Sequence, residues 1–161
     1  MTMNKAIPII LKTVLVVLLV LYLGFLYRSD SSKNVPMDEI AASMAQDEAV
    51  ASLNEMGRAD LKHYYQTDGD DTDGFFFYKA ASPMSVDEIC IMKAPDRSTA
   101  DTLLQNAQAH LDSQKKVFEG YGTNQTALLN RAFAAKKGDY VYYLCGEQAD
   151  SWRAQLLNLI S

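Results

Sequence analysis

The side chains that metal and thiol chemistry need are scarce here. Cys90 and Cys145 are the two cysteines, and His63 and His110 the two histidines. There is no Cys-x-x-Cys pattern and no His pair at helical spacing, so a structural zinc site lacks ligands. No glycine-rich phosphate loop is present, and no cofactor motif is found. Acid is missing from the start of the chain: all 20 Asp and Glu lie at Asp30 or later. From Val35 onward 19 acids stand against 11 Lys or Arg, a net charge of about −8. A surface of that sign repels phosphate backbones, which excludes nucleic acid as the main partner.

Charge is also nearly absent from Ala6 to Tyr27, an apolar run broken only by Lys12 and Thr13. As a helix it would be about 33 Å long, enough to cross a hydrocarbon core of about 30 Å. Lys12 would then reach back to the surface. No Ala-x-Ala-type cleavage site follows, and no cysteine lies near Gly24 for a lipid anchor. The expectation is an uncleaved single-pass signal-anchor over residues 1–28. Its short tail carries Lys5 and Lys12, so its N-terminus is cytoplasmic and the remainder of the chain is exported. Residues 29–35 are polar and read as a linker, leaving a domain over residues 36–161, long enough for one ordinary core.

Within that domain Pro36, Asp38 and Glu39 open a helix with Met37, Ile40 and Met44 on one face. A second helical stretch runs from Glu48 to Met56 and stops at Gly57. Asp60 caps a short helix with Leu61, Tyr64 and Tyr65. The acidic run from Asp68 to Gly74 fails as a calcium loop, because the first and twelfth ligand positions would be Gly69 and Ala80. Phe75–Lys79 and Val86–Lys93 read as strands, the second apolar on both faces and therefore central. Ser98–Tyr121 reads as one long amphipathic helix, started over Asp96 to Ser98 and followed by a tight exit, Phe118-Glu119-Gly120-Tyr121, with Ser98 and Asp101 resembling a capping box. Thr123–Ala135 reads as a shorter helix. A Gly138-Asp139 turn and a strand over Tyr140–Cys145 come next, then a final helix with Trp152, Leu156, Leu159 and Ile160 on one stripe. The expected fold is α+β: a mostly antiparallel sheet of three or four strands, with the long helix and the C-terminal helix on one face.

Enzymes need a nucleophile, an acid–base pair or a metal set. His63 and His110 have no partner at useful spacing, and strand alternation sends Asp87 and Glu88 to opposite faces. Cys90 and Cys145, both on strands, could close a disulfide if those strands are neighbours, or serve as small apolar core residues. The best candidates for ligand or partner binding are Gln114, Phe118, Tyr121 and Gln125, where the long helix turns. They form either a groove of two rings and two amides or a folding corner in which Phe118 and Tyr121 plug the core. The strands are apolar on both faces, so either helices cover both or an aromatic face with Phe76, Tyr78 and Tyr142 lies open.

The run Ser113-Gln114-Lys115-Lys116-Val117-Phe118-Glu119-Gly120-Tyr121, then Gln125 and Leu128-Leu129, then Lys137-Gly138-Asp139-Tyr140-Val141, resembles a bacterial domain-of-unknown-function family, number 4358. Asp87-Glu88-Ile89 to Lys93-Ala94 and the stretch Met56–Tyr65 are similar to it too, so the likeness spans about Leu53 to Trp152. The resemblance implies a small envelope protein of Gram-positive bacteria, held by an anchor or a lipid. It supplies no catalytic residues, and it favours core roles for the two cysteines. The expected function is a membrane-tethered, non-catalytic envelope module that binds another protein or assists its assembly. The alternative is a cell-wall glycan or peptide binder that uses an open aromatic sheet face.

Overall fold

The structure, a computed structural model, describes residues 3–29, 31–120 and 122–161, with side chains in the first helix described only over 9–24. The chain divides into two compact units, Met1–Ser31 and Ser32–Ser161. The first holds α1 (Met3–Ser29), a helix of 27 residues. Its large apolar side chains from Ile9 to Leu23 are all exposed. Among the described residues no helix is long and apolar enough to cross a membrane, so they do not meet the expectation of a span. The part of α1 whose side chains are described, residues 9–24, stops short of the ~20 residues that crossing takes.

The second unit opens with α2 (Met37–Met44) and α3 (Glu48–Ala51). β1 (Asn54–Glu55) and α4 (Arg58–Tyr65) come next, then β2 (Gly74–Lys79) and β3 (Glu88–Lys93). The chain continues through α5 (Arg97–Phe118) and α6 (Thr123–Arg131) to β4 (Phe133–Lys137), β5 (Tyr140–Cys145) and α7 (Ala149–Ile160). The five strands form one antiparallel sheet in the order β1-β2-β3-β5-β4. The α+β class and the central place of β3 match the sequence. The strand number does not: there are five strands, not three or four.

Both additional strands lie where a helix was expected. Asn54 and Glu55 pair with Lys79 and Tyr78, ending the helical stretch at Ala51. Phe133–Lys137 has alanines that suit a helix, yet it pairs with β5 through the Gly138-Asp139 turn. Gly138 takes a left-handed backbone there, φ 57°, which a two-residue hairpin needs at its first central position. Pairing along a whole strand outweighs weak local helix preference.

Alternation along the strands sorts the core into two layers. Phe77, Cys90, Met92, Val141 and Tyr143 face α4, α5 and α6, meeting Leu61, Ala100, Leu103, Ala107 and Leu128. Phe76, Ile89, Ile91, Tyr142 and Leu144 face α2, α3 and α7, meeting Ile40, Met44, Val50, Trp152 and Leu156. The long helix and the C-terminal helix therefore lie on opposite faces, not on one. An aromatic face is not left open either, since Phe76 and Tyr142 are buried. At the start of this unit, Lys33 N–H donates to Ile160 O (2.8 Å). Tyr140 Oη takes the Val35 N–H (2.7 Å) and donates to Val35 O (2.5 Å).

The long helix starts at Arg97, within the expected Asp96 to Ser98, and its cap is Asp96 rather than Ser98. The Asp96 carboxylate takes the Thr99 N–H at 2.8 Å. Cover on both faces has a consequence that unfolding in urea would measure. Leu103→Ala on α5 and Leu156→Ala on α7 should each cost about 2–5 kcal/mol, the usual loss for a buried leucine. A helix merely resting on the surface would lose under about 0.5 kcal/mol at Leu156.

Candidate functional site

β2 ends in a lysine and β3 begins with a glutamate. The antiparallel register sets them directly opposite each other, Lys79 against Glu88. Alternation points both toward α4 and α5. Glu88 is fully buried, an arrangement that stands only if its charge is paired and hydrogen-bonded. Lys79 Nζ donates to Oε2 at 2.5 Å and the Tyr65 hydroxyl donates to Oε1 at 2.5 Å. From α5, His110 Nε2 lies 3.0 Å from Oε1 and 3.2 Å from Oε2. The carboxylate is thus ringed by three donors from three elements.

Burial by itself would raise the Glu88 pKa. The hydrogen bond and charge of His110, then those of Lys79, outweigh it and hold the group below the usual carboxylate range. Around it burial pushes the Tyr65 phenol well up, reinforced by the charge on Glu88. The same cause drives the Cys90 thiol well up and takes Cys145 to about 12. Both thiols are free, although their strands are neighbours. Held protonated, they are poor nucleophiles. Tyr143 Oη is buried without a hydrogen-bond partner among the described residues.

Rings fix the His110 imidazole. Tyr65 stands 4.6 Å away between centroids, Tyr143 5.0 Å and Tyr64 5.9 Å. Lys79 Nζ sits 5.2 Å from the Tyr64 ring centroid, a cation–π contact. Thr67 joins the two helices over this cluster: its hydroxyl donates to Tyr65 O (3.1 Å) and accepts from Asn106 Nδ2 (3.2 Å). α4 is capped by Gln66, which takes a left-handed backbone, φ 51°.

Above the cluster, α4 and α5 leave a cleft of about 330 Å³. His63, Tyr64, Gln66, Asn106, His110, Ser113 and Gln114 line it. His110, which had no evident partner in the sequence, is thus tied to a glutamate 22 residues away and borders a cleft. Glu88 and Asp87 do part: Asp87 borders a different cleft, near Gln125 and Trp152.

Of the four residues singled out from sequence, the three that the structure describes do not share one site. Gln114 lines the His110 cleft, whereas Gln125 lines the other one and accepts the Val86 N–H at 3.3 Å. Phe118 is buried in the core, and its carbonyl accepts from Thr126 Oγ1 at 3.3 Å. Tyr121 lies outside the described residues. The signal for the Glu88 cluster was a lysine ending one strand and a glutamate opening the next. Reading it needs the register. Among the described residues no group of three or more His, Cys, Asp or Glu side chains is set to hold a metal ion.

A family model described as Domain of unknown function (DUF4358) matches residues 46–146. That span contains Tyr65, Lys79, Glu88 and His110, and it ends before α7. No curated protein and no solved structure matches the chain.

Stability should follow the charge on Glu88. A carboxylate with a depressed folded pKa stabilises above its unfolded value, about 4.3, and loses that contribution as pH falls through the folded value. Chemical denaturation between about pH 7 and pH 3 should therefore show stability falling at the acid end, with a shallower fall in Glu88→Gln. Glu88→Ala, which strands Lys79 and His110, should cost about 3–5 kcal/mol near neutral pH. Parallel acid curves for the wild type and Glu88→Gln would remove this role.

Proposed function

The chain belongs to the DUF4358 family, and we propose that it is a membrane-tethered module of the cell envelope that binds a partner protein or assists its assembly, without chemistry of its own. The observation that carries this reading is α1: 27 residues in one helix, within a unit of the chain of its own, Met1–Ser31. At 1.5 Å per residue its backbone runs about 40 Å. Its apolar side chains from Ile9 to Leu23 are exposed, and so large an apolar surface needs cover. A bilayer supplies it, with Lys12 reaching the headgroups and Lys5 on the cytoplasmic side. In this reading the acidic domain stands outside, in a Gram-positive envelope.

The saturated state of Glu88 supports a module without catalysis. Its two oxygens already take Tyr65, Lys79 and His110, so it has little capacity left to take a proton from a substrate. The neighbouring thiols stay protonated.

Carbonate washing of membranes tests the tether. The full chain should stay in the pellet and residues 32–161 should be released. External protease should then digest the domain on intact spheroplasts. A full chain found in the wash, or a domain that protease spares, would defeat the tether. Crosslinking in native membranes, read by mass spectrometry, should recover a specific envelope protein. Recovery of none above background would defeat the binding role.

A further inference from the structure

We infer that the end of the domain bearing Lys33, Lys93 and Lys137 seats on anionic lipid headgroups, which holds the domain against the bilayer. This rests on the tether proposed above and deepens it by naming the face turned to the membrane. The first argument is reach. α1 ends at Ser29 and the second unit begins at Ser32. A chain advances at most about 3.6 Å per residue, so Ser32 lies within roughly 11 Å of the last residue of α1. In the tethered reading that residue stands at headgroup level, because the helix is only slightly longer than the membrane core. Ser32 is the start of a segment bound to the domain. Lys33 N–H donates to Ile160 O at 2.8 Å, and Val35 exchanges hydrogen bonds with the Tyr140 hydroxyl. A side chain at Gly138 would strike Ser32, whose nitrogen lies 2.9 Å from where the Cβ would stand. Pinned in this way, the chain has little slack with which to hold the domain off.

The second argument is charge. Lys93 ends β3 and Lys137 ends β4, and the register sets both beside Tyr140. Lys33 is exposed next to them. Among the described residues none of the three has a carboxylate at ion-pair distance, whereas Lys62, Lys79 and Lys136 each have one. Lys93 Nζ donates to Asn34 Oδ1 (2.6 Å) and Val35 O (3.2 Å), and Lys137 Nζ donates to Ser161 Oγ (2.9 Å). Those acceptors are neutral, and an ammonium has three hydrogens, so each lysine keeps donors and its full charge for a lipid phosphate. Asp73 and Asp139 lie at the same end, and Asp96 and Arg97 at the start of α5 cancel. The end keeps a small positive surplus, in a unit where 19 acids face 12 Lys and Arg. An anionic surface repels the rest of the domain and attracts this end. Charge therefore turns to the bilayer the same face that the chain does.

The far end follows from the same geometry. α5 sets Asp101 against Lys136, beside the seated end, and His110 against Glu88, at the other end of β3. It thus runs away from the lysine face. Lys115 and Lys116, exposed in its last turn, stand about 27 Å along the helix from its start.

The test uses the full chain in lipid nanodiscs and a water-soluble amine-acetylating reagent, read lysine by lysine by mass spectrometry. In discs containing phosphatidylglycerol, Lys33, Lys93 and Lys137 should react about fivefold more slowly than in phosphatidylcholine discs, as expected for lysines at an anionic surface. Lys115 and Lys116 should react at the same rate in both. Combining Lys33→Gln with Lys137→Gln should return Lys93 in the phosphatidylglycerol discs most of the way to its phosphatidylcholine rate. Three results would overturn the seat: equal rates for the three lysines in the two lipids, equal protection of Lys115 and Lys116, or unchanged protection of Lys93 in the double variant. A chain that elutes apart from the discs defeats the tether, and the seat with it. A chain that elutes with the discs and gives any of those three results defeats the seat alone.

Discussion

A sheet that is apolar on both faces cannot stand with one face in water, and the domain is built around that constraint. β3 and β5 place large side chains up and down in alternation, and every residue of β5 is buried. Two helical layers are therefore required. The long α5, with α4 and α6, covers one face, and α2, α3 and α7 cover the other. The aromatic residues that could have formed a platform are spent on packing instead. The same demand draws in the segment before α2, where Val35 and Tyr140 exchange hydrogen bonds.

Burial on that scale makes a charge inside the domain expensive, and Glu88 shows the conditions under which one is kept. It sits where a strand pair ends, so a lysine directly across can reach it from a side chain only 12% exposed. A tyrosine from α4 and a histidine from α5 complete its partners. The cluster joins the sheet to two helices through oriented bonds, which apolar contacts do not supply. The same two helices set the polar lining of the cleft above it.

Much of the secondary structure was legible because its signals are local. The stripe of Ala100, Leu103 and Ala107 marks α5, the aromatic run from Phe75 marks β2, and Gly138-Asp139 marks the turn before β5. β1 and β4 were not legible. Two residues are too few to show a period, and Phe133–Lys137 carries alanines that favour a helix until β5 is there to pair with. Of the cleft, Gln114 was within reach, since it interrupts an apolar stripe. Glu88 and His110 were not, because they stand 22 positions apart and nothing in the sequence between them says that a strand start and a helix interior will meet.

The amino-acid sequence by itself determined the α+β class, the acidic surface, the apolar first segment and the family, since each follows from composition, short-range pattern or motif. Tertiary structure alone decided which face each helix covers, how many strands the sheet has, and which titratable groups share a site. Those depend on strand register and on competition among buried surfaces, and both are properties of residues far apart in the chain and close together only in the folded domain.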